Sequence, residues 1–271
     1  MLNTRPKSTE AQKWSAQANG SLTVLFALDV LEIVSSKGTA GITEIAKSLR
    51  SDKSRVVRVM KSLALRGYVT RDEASRRYRV GPKVADLCEA YRQNSRLEIV
   101  ARPTLHRLRE TFQGTAVLRV FDGYYVVTVA SEESTTILRI CHRIGARYPL
   151  TIGAHSKVFA AFLPEPMVRR VLSTQKDAVY TNKKVLDIDD FIHDLRRVRK
   201  QGYGFSDEDI AKGVRTIAAP IRDITGNVIA TIGISLPSFE LPKHKIEIVA
   251  KVTKAEARAV SRELGWSDTK G

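Results

Sequence analysis

Cysteine is scarce in the 271 residues: Cys88 and Cys141 are the only two, far apart and without a CxxC pair. A disulfide framework is thereby disfavoured, and reduced thiols in a cytoplasmic protein fit best. No apolar run approaches the roughly eighteen residues of a membrane span, so no membrane partner is expected. The opening MLNTRPKSTEAQKWSAQANG lacks the apolar core of a signal peptide. His106, His142, His155, His193 and His244 are scattered, with no HxxxH or HExxH pair to fix a zinc ion. P-loop and GxGxxG patterns are missing as well, so neither metal nor cofactor is expected. Nor are there internal repeats or low-complexity tracts.

Acidic residues are also in short supply, 29 against 45 Lys and Arg, for a formal net charge of +16. The imbalance is uneven. Up to Asn94 there are 17 basic and 9 acidic residues, a surplus of 8, and the remaining 177 residues carry only the same surplus. The front third is nearly twice as basic per residue, as a polyanion-binding module requires. Charge alone suits a merely soluble protein equally well, so patterning has to decide.

Residues 1–20 read as a loose polar tail. SLTVLFALDVLEIVSS follows, with Leu25, Leu28 and Leu31 at helical spacing. Thr43 suits the cap of a short helix with Ile45, Ala46 and Leu49 inside, and Ser51 or Asp52 the cap of a third. In that third helix Val56, Val59, Met60 and Leu63 follow the i, i+3, i+4, i+7 rule. YVTRDEASRRYRV then holds two short β-prone runs, Tyr68–Arg71 and Arg77–Val80, around a polar tip. Three helices and a hairpin make a winged helix-turn-helix over 21–82. KVADLCEAYRQNS reads as a connecting helix at 83–95. From Leu97 the pattern is mixed: strands at TAVLRVF, YYVVTVA and TILRI, helices at HSKVFAAFL and DIDDFIHDLRRVRKQG, a hairpin of GVRTIAAPI and VIATIGISL, and a last helix over roughly 243–264. The domain is expected at 96–264, with a short tail at 265–271.

With its apolar stripe facing a core, the third helix must turn Ser54, Arg55, Val57, Arg58 and Lys61 elsewhere. The start of such a helix meets base edges, where arginine reads guanine. Lys53 and Lys61 suit phosphates. Arg76 and Arg77 adjoin the hairpin tip, where a wing reaches backbone or minor groove. An exposed helix can carry such charges idly, but the preceding short helix and the basic wing favour double-stranded DNA as the partner.

These residues, in this order, resemble the IclR family of bacterial transcription regulators. The resemblance runs through TEIAKSL, DKSRVVRVMKSLALRGYV and RRYRVGPKV in front. Behind, it runs through RPTLHRLRE, IGARYPLTIGAHSKVFAAFLP and GVRTIAAPIRDITGNVIATIGISLP. It implies an α+β chain: a winged helix-turn-helix, a linker helix, and a GAF-like effector-binding domain with a central antiparallel sheet. It implies homodimers or homotetramers on operators near catabolic genes, and small carboxylates, aromatic acids included, as effectors. The effector positions carried over are Ala154, His155, Ser156 and Lys157; Ser206, Asp207, Glu208 and Asp209; Thr216; Gly233 and Ser235. N–H groups at a helix start suit a carboxylate, which gives the first set a physical basis.

Departures from the family pattern accompany the likeness. His155 stands where a small residue is usual and Ser156 where glycine is. Ser206 and Thr216 replace an aspartate and a cysteine, and Gly233 replaces the first serine of the last strand. They count against a very small oxo-acid, and Gly233 suggests room for something bulkier. In front, Arg50 occupies a turn position where glycine is common. Two rivals stay open: an enzyme acting on a small organic acid with a DNA-recruiting front domain, and a constitutive DNA-binding protein without effector.

Overall fold

Three helices and a small hairpin build the front of the chain, and the spacing of their apolar residues says why. The computed structural model describes residues 21–175 and 188–267, so the expected polar tail at 1–20 lies outside the described residues. The chain divides between Asn94 and Ser95 into two units. In the first, α1 (Leu22–Lys37), α2 (Ile42–Leu49) and α3 (Lys53–Leu65) precede β1 (Val69–Arg71), β2 (Tyr78–Val80) and α4 (Lys83–Asn94). Val56, Val59 and Met60 of α3 share one core with Ile45 and Ala46 of α2 and with Phe26, Val30, Ile33 and Val34 of α1. Full burial of each larger side chain contributes on the order of 1.5–3 kcal/mol, against which the ordering entropy is set. β1 and β2 pair antiparallel, and Ala40 adds a single bridge to Tyr78.

Two details differ from the sequence expectation. The buried stripe of α1 is Phe26, Val30, Ile33 and Val34, while Leu28 is 52% exposed. Both sides of that helix are apolar, so spacing alone cannot choose between them. Thr43 lies within the first turn of α2, whose cap is Gly41 in extended conformation. Arg50 ends α2 at φ 50° and ψ 46°, the left-handed conformation that glycine ordinarily supplies.

The second unit begins with α5 (Arg96–Phe112), β3 (Thr115–Phe121), β4 (Tyr125–Glu132) and β5 (Arg147–Pro149). It continues with α6 (Ala154–Phe162), α7 (Glu165–Thr174), α8 (Ile188–Gln201), β6 (Gly204–Asp207), β7 (Val214–Arg222), β8 (Val228–Pro237) and α9 (Ile246–Glu263). The six strands form one antiparallel sheet in the order β5-β4-β3-β8-β7-β6. Alternation along each strand separates two faces. Ala116 and Leu118, Ile217, Ala219 and Ile221, and Ile232, Ile234 and Leu236 pack as hydrocarbon with Leu105 and Leu108 of α5 and Ala257 and Val260 of α9. The intervening residues, Arg119, Thr216, Thr231, Gly233 and Ser235 among them, turn to the opposite face, where α6 packs.

TILRI does not form the expected strand; residues 133–146 run irregularly into β5. Side chains there occupy the backbone groups a ladder would use. Thr115 Oγ1 donates to Ile140 O at 2.6 Å, and Ser134 Oγ donates to Gln113 O at 2.6 Å. Leu138 is left 60% exposed. Among the described residues no helix is long and apolar enough to cross a membrane, and no group of three or more His, Cys, Asp or Glu could hold a metal. Cys88 and Cys141 are free and exposed.

Candidate functional site

The front unit offers a nucleic-acid face on α3. Lys53, Ser54, Arg58 and Lys61 are exposed there, Val57 is half-buried, and Val56, Val59 and Met60 hold the helix from behind. Arg55 is exposed too, but its guanidinium lies 4.0 Å over the Phe26 ring of α1. Its plane is thus presented from a fixed platform rather than a free stem. At the wing, Asp72 accepts from Ser75 N at 2.7 Å and Ser75 Oγ at 2.8 Å, organising the tip. Arg76 follows at φ 53°, exposed. Arg77 is half-exposed and held by three hydrogen bonds: Nη2 donates to Thr39 O at 3.0 Å and to Glu44 Oε2 at 2.9 Å, and Nε donates to Thr39 Oγ1 at 3.2 Å. Glu44 also pairs with Lys37. The hydrogen bond from Lys37, with that from Arg77, holds the Glu44 carboxyl below its usual range. Arg77 thus ties the wing to the start of α2.

In the rear unit a polar cluster interrupts the sheet face under α6. Arg119 of β3 is 2% exposed, with its guanidinium 3.9 Å from the centre of the Tyr148 ring. It lies opposite Thr231 of β8 on one side and Thr128 of β4 on the other. His155, in the first turn of α6, places Nδ1 2.9 Å from Thr231 Oγ1. A row of hydroxyls runs beside it across four strands in register, Ser206, Thr216, Ser235 and Thr115. Burying such groups costs stability unless partners are supplied, so their concentration on one face has to be organised.

His142 supplies much of that organisation. Arg119 Nη2 lies 3.3 Å from His142 Nδ1 and has only protons to give, so Nδ1 accepts. The ring proton then sits on Nε2, which donates to Ser235 Oγ at 2.9 Å; Ser235 and Thr216 hydroxyls are 2.9 Å apart. Burial first, and then the Arg119 charge, push the His142 pKa down to about 3. His155 is held well below 6.5 by burial, then by Arg119 and His142. A serine bonded to an imidazole is two-thirds of a hydrolytic triad. Here the third member is a guanidinium where a hydrolase places a carboxylate. Arg119 opposes the imidazolium that general-base catalysis would create, which leaves an arrangement suited to binding rather than turnover.

Of the residues expected at the effector site, Ala154, His155, Ser156, Ser206, Thr216 and Ser235 are buried at this face or at the α6 start beside it. Ser156 spends its hydroxyl on Pro149 O at 2.9 Å. Asp207 and Asp209 are engaged, with Arg215 Nε and Lys157 Nζ, each at 2.7 Å. Gly233 does not leave room for a bulkier ligand: a Cβ there would meet His155 Nε2 at 2.8 Å and Ile217 O at 2.4 Å. Sequence reasoning missed Arg119, Thr128, Tyr148 and Thr231 and left His142 without a role. The available signal was a lone arginine in register with Thr115 and Val117, inside an otherwise apolar strand.

Comparison with known proteins agrees with this two-unit architecture. Residues 24–73 match the family model of the IclR helix-turn-helix domain, and residues 89–262 that of the C-terminal domain of the bacterial transcriptional regulator IclR. The HTH-type transcriptional regulator KdgR of Dickeya chrysanthemi is 30% identical over 253 residues, covering 93% of this chain and 83% of the relative. The regulator BhcR of Paracoccus denitrificans is 28% identical over 257 residues, with 95% and 92% covered. Among solved structures, an IclR transcriptional regulator from Alicyclobacillus acidocaldarius superposes with a TM-score of 0.82 at 26% identity, over 91% of this chain and all of that one.

Proposed function

The chain belongs to the IclR family of bacterial transcription regulators, and on that premise we propose that it controls a catabolic operon in response to a small organic acid bound by its rear domain. DNA binding through a helix-turn-helix is the family's common property. The acid is our reading, and one observation carries it: a guanidinium flanked by Thr128 and Thr231, two neutral imidazoles and a row of four further hydroxyls are gathered at one buried sheet face. Lys53, Ser54, Arg55, Val57, Arg58 and Lys61 would meet the operator groove, and Arg76 the backbone beside it. Leu22, Val24 and Leu28, exposed on α1, support self-association. A ligand that prefers one arrangement of paired DNA-binding units shifts the population toward it. Two recognition helices match half-sites when about 34 Å or a multiple separates them. α4 is the covalent route by which the ligand state reaches the DNA-binding unit.

The test is a titration of labelled DNA from just upstream of the gene, against salt and unlabelled random DNA, with and without a panel of aliphatic and aromatic acids. Specific binding that one acid strengthens or releases is expected. Specific binding indifferent to every acid would leave a constitutive DNA-binding protein. Turnover of an acid would restore the enzyme reading.

A further inference from the structure

Of the buried polar side-chain atoms in the rear unit that lack a hydrogen-bond partner among the described residues, three belong to the polar sheet face and the helix start over it: Thr128 Oγ1, Ser131 Oγ and His155 Nε2. Register gathers them around Arg119. Thr128 stands across from it on β4, and Thr231, the partner of His155 Nδ1, stands across from it on β8. Ser131 lies opposite Val117, one step along the same face. Directly paired residues share a face at close range. A buried donor or acceptor with no partner forfeits the hydration it has in the unfolded chain, so three together mark a site that a ligand completes.

The guanidinium among them is already aimed. Tyr148 stacks on one plane, and the contact to His142 is long, 3.3 Å, and made to a neutral nitrogen. A carboxylate is a stronger acceptor for that fork. His142 rides on the irregular 133–146 segment, so its imidazole can leave without breaking a sheet ladder. Lys157 and Arg215, the cations beside the acidic stretch, are engaged with Asp209 and Asp207. Arg119 is the cation that the β3 register places on this face, among several neutral hydrogen-bonding atoms.

We propose that Arg119 and Thr128 form the carboxylate seat of the effector site and that the ligand is a 2-hydroxy monocarboxylate. Its carboxylate replaces His142 Nδ1 as the acceptor at Arg119 and takes the Thr128 hydroxyl proton, while its hydroxyl meets His155 Nε2. The inference rests on the reading of the rear domain as an organic-acid sensor, and narrows it.

Calorimetric titration and thermal melting of the full chain test this with glycolate, lactate and mandelate, each beside its primary amide. Malate serves as the dianion, and acetate and benzoate as acids without a hydroxyl. At least one hydroxy acid is expected to bind, with its amide about 100-fold weaker. Arg119→Gln should lose about 100-fold, and Arg119→Lys and Thr128→Val about 10-fold each. Thr128→Val carries the test should Arg119→Gln fail to fold. Undiminished affinity in these variants overturns the seat while the sensor reading stands. Tighter binding of acetate, benzoate or malate than of every hydroxy acid overturns the ligand class. No response to any acid overturns both inference and reading.

Discussion

The imidazole of His155 fills the volume that Gly233 leaves open, since a Cβ at residue 233 would lie 2.8 Å from its Nε2. A large residue at the helix start and a missing side chain on the facing strand are thus one exchange, read from two places in the sequence. Gly233→Ala also drives a methyl to 2.4 Å from Ile217 O, so backbone must shift. We expect it to cost about 1–3 kcal/mol of unfolding free energy. Adding His155→Ala should cost less than the sum of the two single changes, with a coupling on the order of 1 kcal/mol. Strict additivity in denaturant titrations would show the two sites to be independent.

Arg55 and Arg58 should separate, although both are exposed on α3. Arg55 stacks on Phe26, so Arg55→Ala is expected to lower the melting temperature of the DNA-binding unit and to weaken operator binding together. Arg58→Ala should weaken operator binding by about 1–3 kcal/mol, if it reads a base, at unchanged stability. Equal loss on operator and random DNA would reduce Arg58 to a phosphate contact.

Arg77 is expected to behave as a brace. Its ties to Thr39 and Glu44 predict that Arg77→Ala costs on the order of 1 kcal/mol of stability and leaves the salt dependence of DNA binding unchanged. Lys61→Ala should do the reverse, lowering the slope of log K against log salt by about 0.9 at constant stability. A reduced slope in Arg77→Ala would place that residue on the DNA instead.

Acid should weaken the rear domain through its histidines. His142, at about 3, is neutral in the native state and protonated in the unfolded chain below about 6.5. The unfolded chain then binds more protons, so stability is full above that value and falls as pH drops through it. At pH 5 the loss from His142 is about 2 kcal/mol, and His155 adds in the same direction. Glu44 works in a lower window, its contribution present above about 4.5 and lost as pH falls through its depressed native value. Denaturant titrations at pH 7.5 and 5.0 should show His142→Gln losing less than the wild-type chain; parallel losses would remove His142 as the cause.

Legibility in the sequence followed the strength of local pattern. The α2–α3 pair, the wing and the β7–β8 hairpin were readable because strict periodicity coincides there with turn residues. TILRI failed because its β-branched run says nothing about Thr115, distant in sequence, whose hydroxyl takes the Ile140 carbonyl, or about Gln113, whose carbonyl holds the neighbouring Ser134. The strands β5 and β6 were not assigned, being only three and four residues long, and α7 was passed over although Val168, Val171 and Leu172 follow helical spacing. At the site, His155, Thr216, Gly233 and Ser235 came from resemblance, whereas Arg119 did not. An arginine in a strand reads as a solvent-facing side chain until sheet order shows both neighbours of that strand already in place. The charge of Arg77 was legible, but its ties to Thr39 and Glu44, more than thirty residues away in the chain, were not.

The two-faced sheet has a consequence for how such a receptor can change. Odd-numbered positions of β3 and β8 carry the polar side chains Thr115, Arg119, Thr231 and Ser235, while their even-numbered neighbours fasten the sheet to α5 and α9. On the proposed effector reading, selection, or a designer of biosensors, can therefore exchange Arg119, Thr231 or Ser235 for a new analyte while the hydrocarbon that keeps the domain folded stays untouched. A slip of one residue in pairing would exchange the two roles at once, so the register that stabilises the fold also preserves the receptor's selectivity as it diversifies.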